Sequence, residues 1–453
     1  MNPLTHPIIQ AIKARIVLHQ IVCGVLILGY LCPGVSDAQE SDALNAEFDE
    51  LTKEVLVQYH TNLAIAENTS VRDPADLEKL LRQNRGAAGA LLKFIASNQD
   101  NLLQNNDPSL LLEAFQALLD ANLGGIAQYL LTKAESVSDT YTLSQLHYLI
   151  AVYFHRTGQP ERALQHLSKI EARNALSEKQ SDYATLLFGT LLQDNKKHRE
   201  AVKYYQTIAP ESAYFSQAQM NIAVAYIRQG WWTDAQLAIN NALSSDAVNS
   251  DPELRNRLLL MLGYNRLKNE FYRDSREAFR KISLESSYSN RAMLGIGLCA
   301  LNQGDVVGAI NAFGYLKKKN ENTISVTEAH LLYAYAHEKM GESSLASAQY
   351  EAAIAYYNGR LLAVGDDDKP LDPGITFEYT EANRDLVKQR IQTLERFAAV
   401  FPTNSQRLLA LRDRFRIYLQ KIKEGTKNDN IRILTSYLSQ SQYGQAKLFD
   451  NKP

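Results

Sequence analysis

Residues that break helices are scarce in this sequence. Among 453 residues there are only 22 glycines and 12 prolines, while Ala, Leu, Gln, Glu and Tyr are plentiful, so the chain reads as mostly helical. Cysteine is nearly absent. Cys23 and Cys32 fall in a leader-like segment, which leaves Cys299 alone, and one thiol makes neither an internal disulfide nor a zinc or redox spacing. Cys299 sits on the apolar helical face of MLGIGLCALNQG, where a buried small hydrophobe is expected. An excess of one charge is also missing, with 48 basic residues against 50 acidic. That argues against a nucleic-acid partner, which needs basic surface to displace counterions from phosphates.

Catalytic signatures are missing as well. No metalloprotease helix motif, phosphate-binding glycine loop, nucleophile elbow or dinucleotide fingerprint occurs. His147 and His155 share a helix side but stand two turns apart, and His166 belongs to the next helix. These, with His330 and His337, are expected as scattered surface or half-buried side chains. The expectation is a protein that is not an enzyme and has no cofactor and no metal.

One long apolar run is present. Lys13 and Arg15 precede Ile21 to Leu31, and CPGVSDAQE follows. Ser36 and Ala38 occupy the −3 and −1 positions of a signal-peptidase site, so residues 1–38 read as a signal peptide. The alternative is an uncleaved anchor, but the run is short for a bilayer and extending it backwards takes in His19 and Gln20. Neither QIVC nor GYLC puts a small residue before its cysteine, as a lipoprotein would. The expected place is the periplasm, with the N-terminus meeting the membrane only during export. Retention of the leader would instead leave the chain anchored in the inner membrane, facing the periplasm.

Beyond the leader, one pattern recurs. In IAVAYIRQGWWTDAQLAINNAL, a small residue (Ala223) is followed by an aromatic (Tyr226), a glycine (Gly230), a second aromatic (Trp232) and alanine (Ala235). LIAVYFHRTGQPERALQHLSKI carries the same frame at Ala151, Phe154, Gly158, Ala163 and Leu167. Further copies pass through Gly189 and Tyr205, Gly263 and Phe279, Gly297 and Phe313, and Ala334 and Tyr350. The small residue of each second helix forms a ladder, Ala127, Ala163, Ala201, Ala235, Ser275, Ala309 and Ala346, with steps of 36, 38, 34, 40, 34 and 37 residues. The frame resembles the tetratricopeptide repeat, a helix–turn–helix unit of about 34 residues. Two departures stand out: the tryptophan usual early in the first helix is absent, and the closing proline is mostly missing.

The resemblance implies an all-α fold, a right-handed α-solenoid of such hairpins. Residues 39–107 are expected as an N-terminal helical cap with patterns at about 45–68 and 76–97, and 108–357 as the array of about seven hairpins. A loop at 358–378, containing VGDDDKPLDPG, precedes amphipathic helices over 379–453. Two long helices there carry Val387, Ile391, Leu394, Ala398 and Phe401, then Leu408, Leu411, Phe415, Tyr418 and Ile422, and a third is expected near 429–443. The aspartates of the loop lack the spacing and glycine of a calcium-binding EF-hand.

In the family, ligands meet the first helix of each hairpin on the concave side. Carried over, the candidate partner residues are Tyr148, His155 and Arg156, then Met220 and Val224, Leu260 and Tyr264, Leu294 and Leu298, and Leu331 and Tyr335. From Met220 to Tyr335 this groove is apolar and aromatic, unlike the lysine, arginine and asparagine of repeats that clamp a terminal carboxylate. This central part either receives an amphipathic helix of a partner or is filled by the chain's own C-terminal helices. If it is filled, the earlier positions Tyr148, His155 and Arg156, which are polar and mixed, would serve a partner. Trp232 is expected to pack one helix of its hairpin on the other. Trp231 is a turn residue, either a contact on the rim for a partner or packed on the next repeat. Function is therefore read as a non-catalytic scaffold of the bacterial cell envelope whose partners are envelope proteins. The alternatives are a glycan-binding member of a polysaccharide-export system, for which the 24 tyrosines speak, and a repeat arm on a small C-terminal catalytic domain.

Overall fold

A computed structural model of the chain describes residues 35–65, 73–85, 87–105, 107–364 and 377–450, and among them are twenty α-helices, two 3₁₀ turns and no strand. The expected leader, apart from 35–38 in the first turn of α1, and the aspartate-rich loop lie outside these residues. The helices run α1 (Val35–Ile65), α2 (Pro74–Asn84) and α3 (Ala88–Leu103), then seven hairpins. The hairpins are α4 (Pro108–Asp120) with α5 (Gly124–Ala134), α6 (Thr140–Arg156) with α7 (Pro160–Ser168), and α8 (Glu178–Asp194) with α9 (His198–Tyr205). Next come α10 (Phe215–Arg228) with α11 (Trp232–Leu243), a short α12 (Asp246–Ser250), and α13 (Pro252–Lys268) with α14 (Tyr272–Arg280). The last two pairs are α15 (Ser289–Asn302) with α16 (Val306–Lys317) and α17 (Ile324–Lys339) with α18 (Ser343–Ala363), followed by α19 (Phe377–Val400) and α20 (Ser405–Asp450).

Each hairpin is made the same way. Five of the seven first helices begin where a side chain satisfies the free N–H groups: Asp107, Asp139, Ser177, Asp251 and Thr323 accept from the backbone at N2 or N3, and Pro108 and Pro252 sit at first-turn positions that need no donor. The other two, α10 and α15, follow Tyr214 and Tyr288 without a side-chain cap. All seven first helices end at a residue in the left-handed region: Asn122, Gly158, Lys196, Gly230, Glu270, Gly304 and Gly341, with φ from 58° to 81°. In all seven hairpins the next N–H reaches back to a carbonyl five residues earlier, as Trp231 does to Tyr226 and Phe271 to Arg266, at 2.8–3.1 Å. This Schellman closure turns the chain into the second helix. Each left-handed residue precedes its ladder residue by five positions, and all seven ladder residues from Ala127 to Ala346 are fully buried.

Large and small side chains alternate at the crossings. A Cβ added at Gly189, Gly263 or Gly297 would lie 2.6, 2.4 or 2.4 Å from the ring of Tyr205, Phe279 or Phe313. Ser275 keeps the small volume while donating its hydroxyl to the Gly263 carbonyl at 2.6 Å, so its polarity costs little.

By contacts, the chain divides into two compact units, one holding Cys32–Ile208 with Glu381–Lys421, the other Ala209–Thr380 with Ile422–Pro453. This partition cuts across the expected segments, because the hairpin array divides after Ile208 and the C-terminal helices contribute to both units. Three local expectations are corrected. The second cap pattern is two helices, α2 and α3; residues 358–363 continue α18; and the second and third C-terminal helices are one, α20. No proline interrupts Ser405–Asp450, and the exposed Gly425 costs only about 1 kcal/mol in a helix interior.

In the first unit, α1 pairs antiparallel with the beginning of α20. Leu44, Phe48, Leu51 and Val55 of α1 are buried at steps of four and three, as are Leu408, Leu411, Phe415 and Tyr418 of α20. Phe48 and Phe415 meet edge-to-face at 6.2 Å. Flanking the seam, Glu40 pairs with Lys421 at 2.9 Å, Glu47 with Arg414, and Glu54 with Arg407 at 2.6 Å, each a heptad from the next. Beneath lies Asp49. It accepts the Gly125 N–H at the start of α5 at 3.1 Å and pairs with Arg162 at 2.5 Å. The fully buried Arg390 of α19 lies over the Phe48 ring at 4.2 Å and 3.9 Å from Asp49. Its guanidinium nitrogens make no hydrogen bond among the described residues.

The second unit has a core that runs from hairpin to hairpin through Leu259, Phe279, Leu298, Phe313 and Val326. The later part of α20 covers its last hairpin. Leu434 and Tyr437 join Leu331, Tyr350 and Tyr357, the Tyr437 and Tyr357 rings stack at 5.8 Å, and Lys447 pairs with Glu338 at 2.6 Å. A Cβ on Gly444 would lie 2.4 Å from the Tyr350 ring, so α20 approaches α18 closely there.

Candidate interaction surface

Most of the candidate groove residues are interior. Tyr148, Met220, Leu260, Tyr264, Leu294, Leu298 and Leu331 are buried; Val224, Tyr335 and His155 are half-buried; Arg156 and Trp231 are exposed. The reason lies in how first helices stack. Leu260, Tyr264, Leu294 and Leu298 belong to one cluster with Val326 and Ala329, so neighbouring first helices interlock through these positions. The Tyr264 hydroxyl donates to the Arg291 carbonyl at 3.1 Å, a bond that ties one hairpin to the next. Leu331 is covered by α20 of the same chain. Leu260, Tyr264, Leu294, Leu298 and Leu331 are thus covered by the chain itself.

Arg156, in the last turn of α6, donates to the Leu119 carbonyl of the preceding hairpin at 3.4 Å and lies 5.9 Å from the Tyr153 ring. It stays exposed. The half-buried His155 beside it is held below the usual imidazole range by burial.

The histidines are arranged otherwise than their spacing suggests. His147 and His166 are both buried, with their Nδ1 atoms 3.0 Å apart, and His166 stacks on Phe154 at 5.6 Å. The sequence places them on different helices of one hairpin, and only the closing of that hairpin brings them together. Burial pushes His147 down to about 4 and His166 to about 3, so both are neutral near pH 7 and one donates to the other. Among the described residues no group of three or more His, Cys, Asp or Glu side chains is placed to hold a metal ion. Cys299 is fully buried, donates to Ser275 Oγ at 3.2 Å, and burial raises its thiol to about 11, so it behaves as core.

The exposed aromatics lie elsewhere. Trp231 is 39% exposed and Phe271 is 60% exposed. Both are the residue just after the left-handed turn, in adjacent hairpins, and both supply the closing N–H. The ring of Trp231 lies 5.7 Å from that of Tyr226, the residue whose carbonyl it bonds, which is the apolar contact usual for this closure. One face of Trp231 is thus structural while the rest meets solvent. Trp232 begins α11 half-buried, and its carbonyl accepts from Asn265 of the next hairpin at 3.2 Å. Phe271 escapes sequence reading because Glu270 fills the slot where glycine marks the turn. The step of 40 residues from Trp231 would have revealed it.

The sequence model of the tetratricopeptide repeat family matches residues 260–320, the stretch that holds Gly263, Phe279, Gly297 and Phe313. No curated protein matches the chain. Among solved structures, the chain is similar to PilF of Pseudomonas aeruginosa, at 17% identity and a TM-score of 0.36, over 51% of this chain and 97% of that one. It is also similar to a tetratricopeptide repeat protein of Parabacteroides merdae, at 15% identity and a TM-score of 0.37, over 61% and 99% of the two chains. A third is the apo form of the quorum sensor NprR of B. thuringiensis, at 14% identity and a TM-score of 0.38, over 67% and 97%.

Proposed function

Because the chain is a tetratricopeptide-repeat protein, we propose that it is a non-catalytic scaffold of the bacterial cell envelope that assembles or localises a protein complex. The observation that carries the binding half is the pair Trp231 and Phe271, exposed at the same turn position of neighbouring hairpins. The turn itself is closed by backbone bonds that any residue supplies, so exposed rings of this size are not needed for closure, and such side chains dominate protein–protein hot spots. The envelope half rests on the leader pattern of residues 1–38.

The glycan reading finds less support, because Tyr148, Tyr153, Tyr205, Tyr264, Tyr350 and Tyr357 are core side chains rather than a wet aromatic track. A separate C-terminal catalytic domain is likewise disfavoured, since α20 takes part in both compact units.

Crosslinking and pulldown from the native envelope fraction tests the reading, with wild type beside the Trp231→Ala/Phe271→Ala double variant. The expected result is loss of specific partners at a melting temperature lowered by only a few degrees. Retention of every partner by the double variant rejects the rim as the binding surface. Recovery of the protein from the periplasmic fraction with Gln39 at its N-terminus supports the location, and recovery only from the cytosol overturns it.

A further inference from the structure

Within the first unit, the second helices of two successive hairpins have nine residues in α7 and eight in α9. Between α7, α8 and α9 lies an open pocket of about 510 Å³, within the usual size range of binding pockets. Its floor is apolar, made of Leu164, Phe188, Leu192 and Tyr204, with the Phe188 and Tyr204 rings 4.6 Å apart. Leu192 is buried and the other three are half-buried, so a large side chain can still reach them. Charge is confined to the rim, where Glu161 and Glu200 stand exposed and Lys197 lies 3.9 Å from Glu200.

We propose that this pocket is a docking site for a protein segment that presents a large apolar side chain flanked by lysine or arginine. An apolar centre inside a polar, charged rim is the ordinary anatomy of a protein interface. Two carboxylates against one lysine leave the rim net negative, which favours a cationic partner over an acidic one. The site shares no residue with the Trp231 and Phe271 rim, so its test does not depend on that reading.

The test uses a labelled amphipathic helical peptide of leucine and lysine, with a leucine–glutamate peptide of the same pattern as control. Fluorescence anisotropy at about 0.15 M salt reads affinity, and hydrogen exchange reads the footprint. The lysine peptide should bind and slow exchange over 161–168 and 188–204, and the glutamate peptide should not bind. Glu161→Lys/Glu200→Lys should weaken the lysine peptide by about tenfold or more, the effect of reversing two surface charges. Both glutamates are exposed, so a melting curve like that of wild type is expected; Glu277→Lys, exposed on α14 of the second unit, should leave affinity unchanged. Equal binding by the double variant, a footprint elsewhere, or no binding of the lysine peptide at millimolar concentration overturns the proposal.

Discussion

At the scale of single residues, the hairpins work by pairing volume with its absence. Gly263 faces Phe279 so closely that one methyl group has no room. Gly295 presses on the other side of the same ring, with an added Cβ also 2.4 Å away. Gly263→Ala gains helix propensity worth about 1 kcal/mol but overpacks a full core, at about 1–3 kcal/mol. A net loss in urea unfolding is expected, and a more stable variant would show that Phe279 moves aside freely. The acid–base cluster of the first unit behaves oppositely to intuition. Asp49→Ala leaves Arg162 and the buried Arg390 without their carboxylate and should cost about 3–5 kcal/mol, whereas Arg390→Met, similar in length and apolar, should be neutral or stabilising. If Arg390→Met proves the more damaging of the two, the guanidinium is satisfied in solution by bound water.

At the scale of elements, the turn decides whether a pair of helices becomes a repeat. Four of the seven left-handed positions are glycine, and Asn122, Lys196 and Glu270 are not, with φ of 58°, 62° and 65°. Asparagine tolerates this region through its short polar side chain, while lysine and glutamate bear a strain of about 1 kcal/mol. Glu270→Gly should therefore raise the urea midpoint, by up to about 1 kcal/mol of stability, offset in part by unfolded-state entropy. A lower midpoint would mean that the glutamate side chain contributes more than its backbone strain costs. Hairpins were legible in the sequence because the frame of small residue, aromatic and turn repeats in register. The α1–α20 pairing was not, since its partners are more than 350 residues apart and each heptad pattern alone names no partner.

At the scale of the whole molecule, the buried histidines tie stability to pH. His147, His166 and His330 are held at about 4, 3 and 4, in each case chiefly by burial. Unfolded, these side chains bind protons below about 6.5, while the folded protein does not until these lower values are reached. The unfolded chain thus binds more protons in that window, and stability falls as pH drops from about 6.5 towards 4. Urea midpoints measured from about pH 7.5 to 4.5 should decline below 6.5, and less steeply in a His147→Gln/His166→Gln variant. A midpoint constant across that range in wild type would place these imidazoles in contact with water.

The sequence by itself determined the helical class, the seven hairpins, their register and the buried small residue at each crossing. These are short-range matters, set by turn chemistry and by the volume of side chains about sixteen residues apart, such as Gly263 and Phe279. Which faces remained open was decided only by tertiary structure. Leu260 and Leu298 look like groove residues from their place in the repeat, yet stacking of first helices buries them. Leu331 is covered by a helix that begins 74 residues later at Ser405. The meeting of His147 with His166, the junction of Asp49 with Arg390 and the pocket above Phe188 arise in the same way, because burial depends on what packs against a residue and a local pattern carries no record of that.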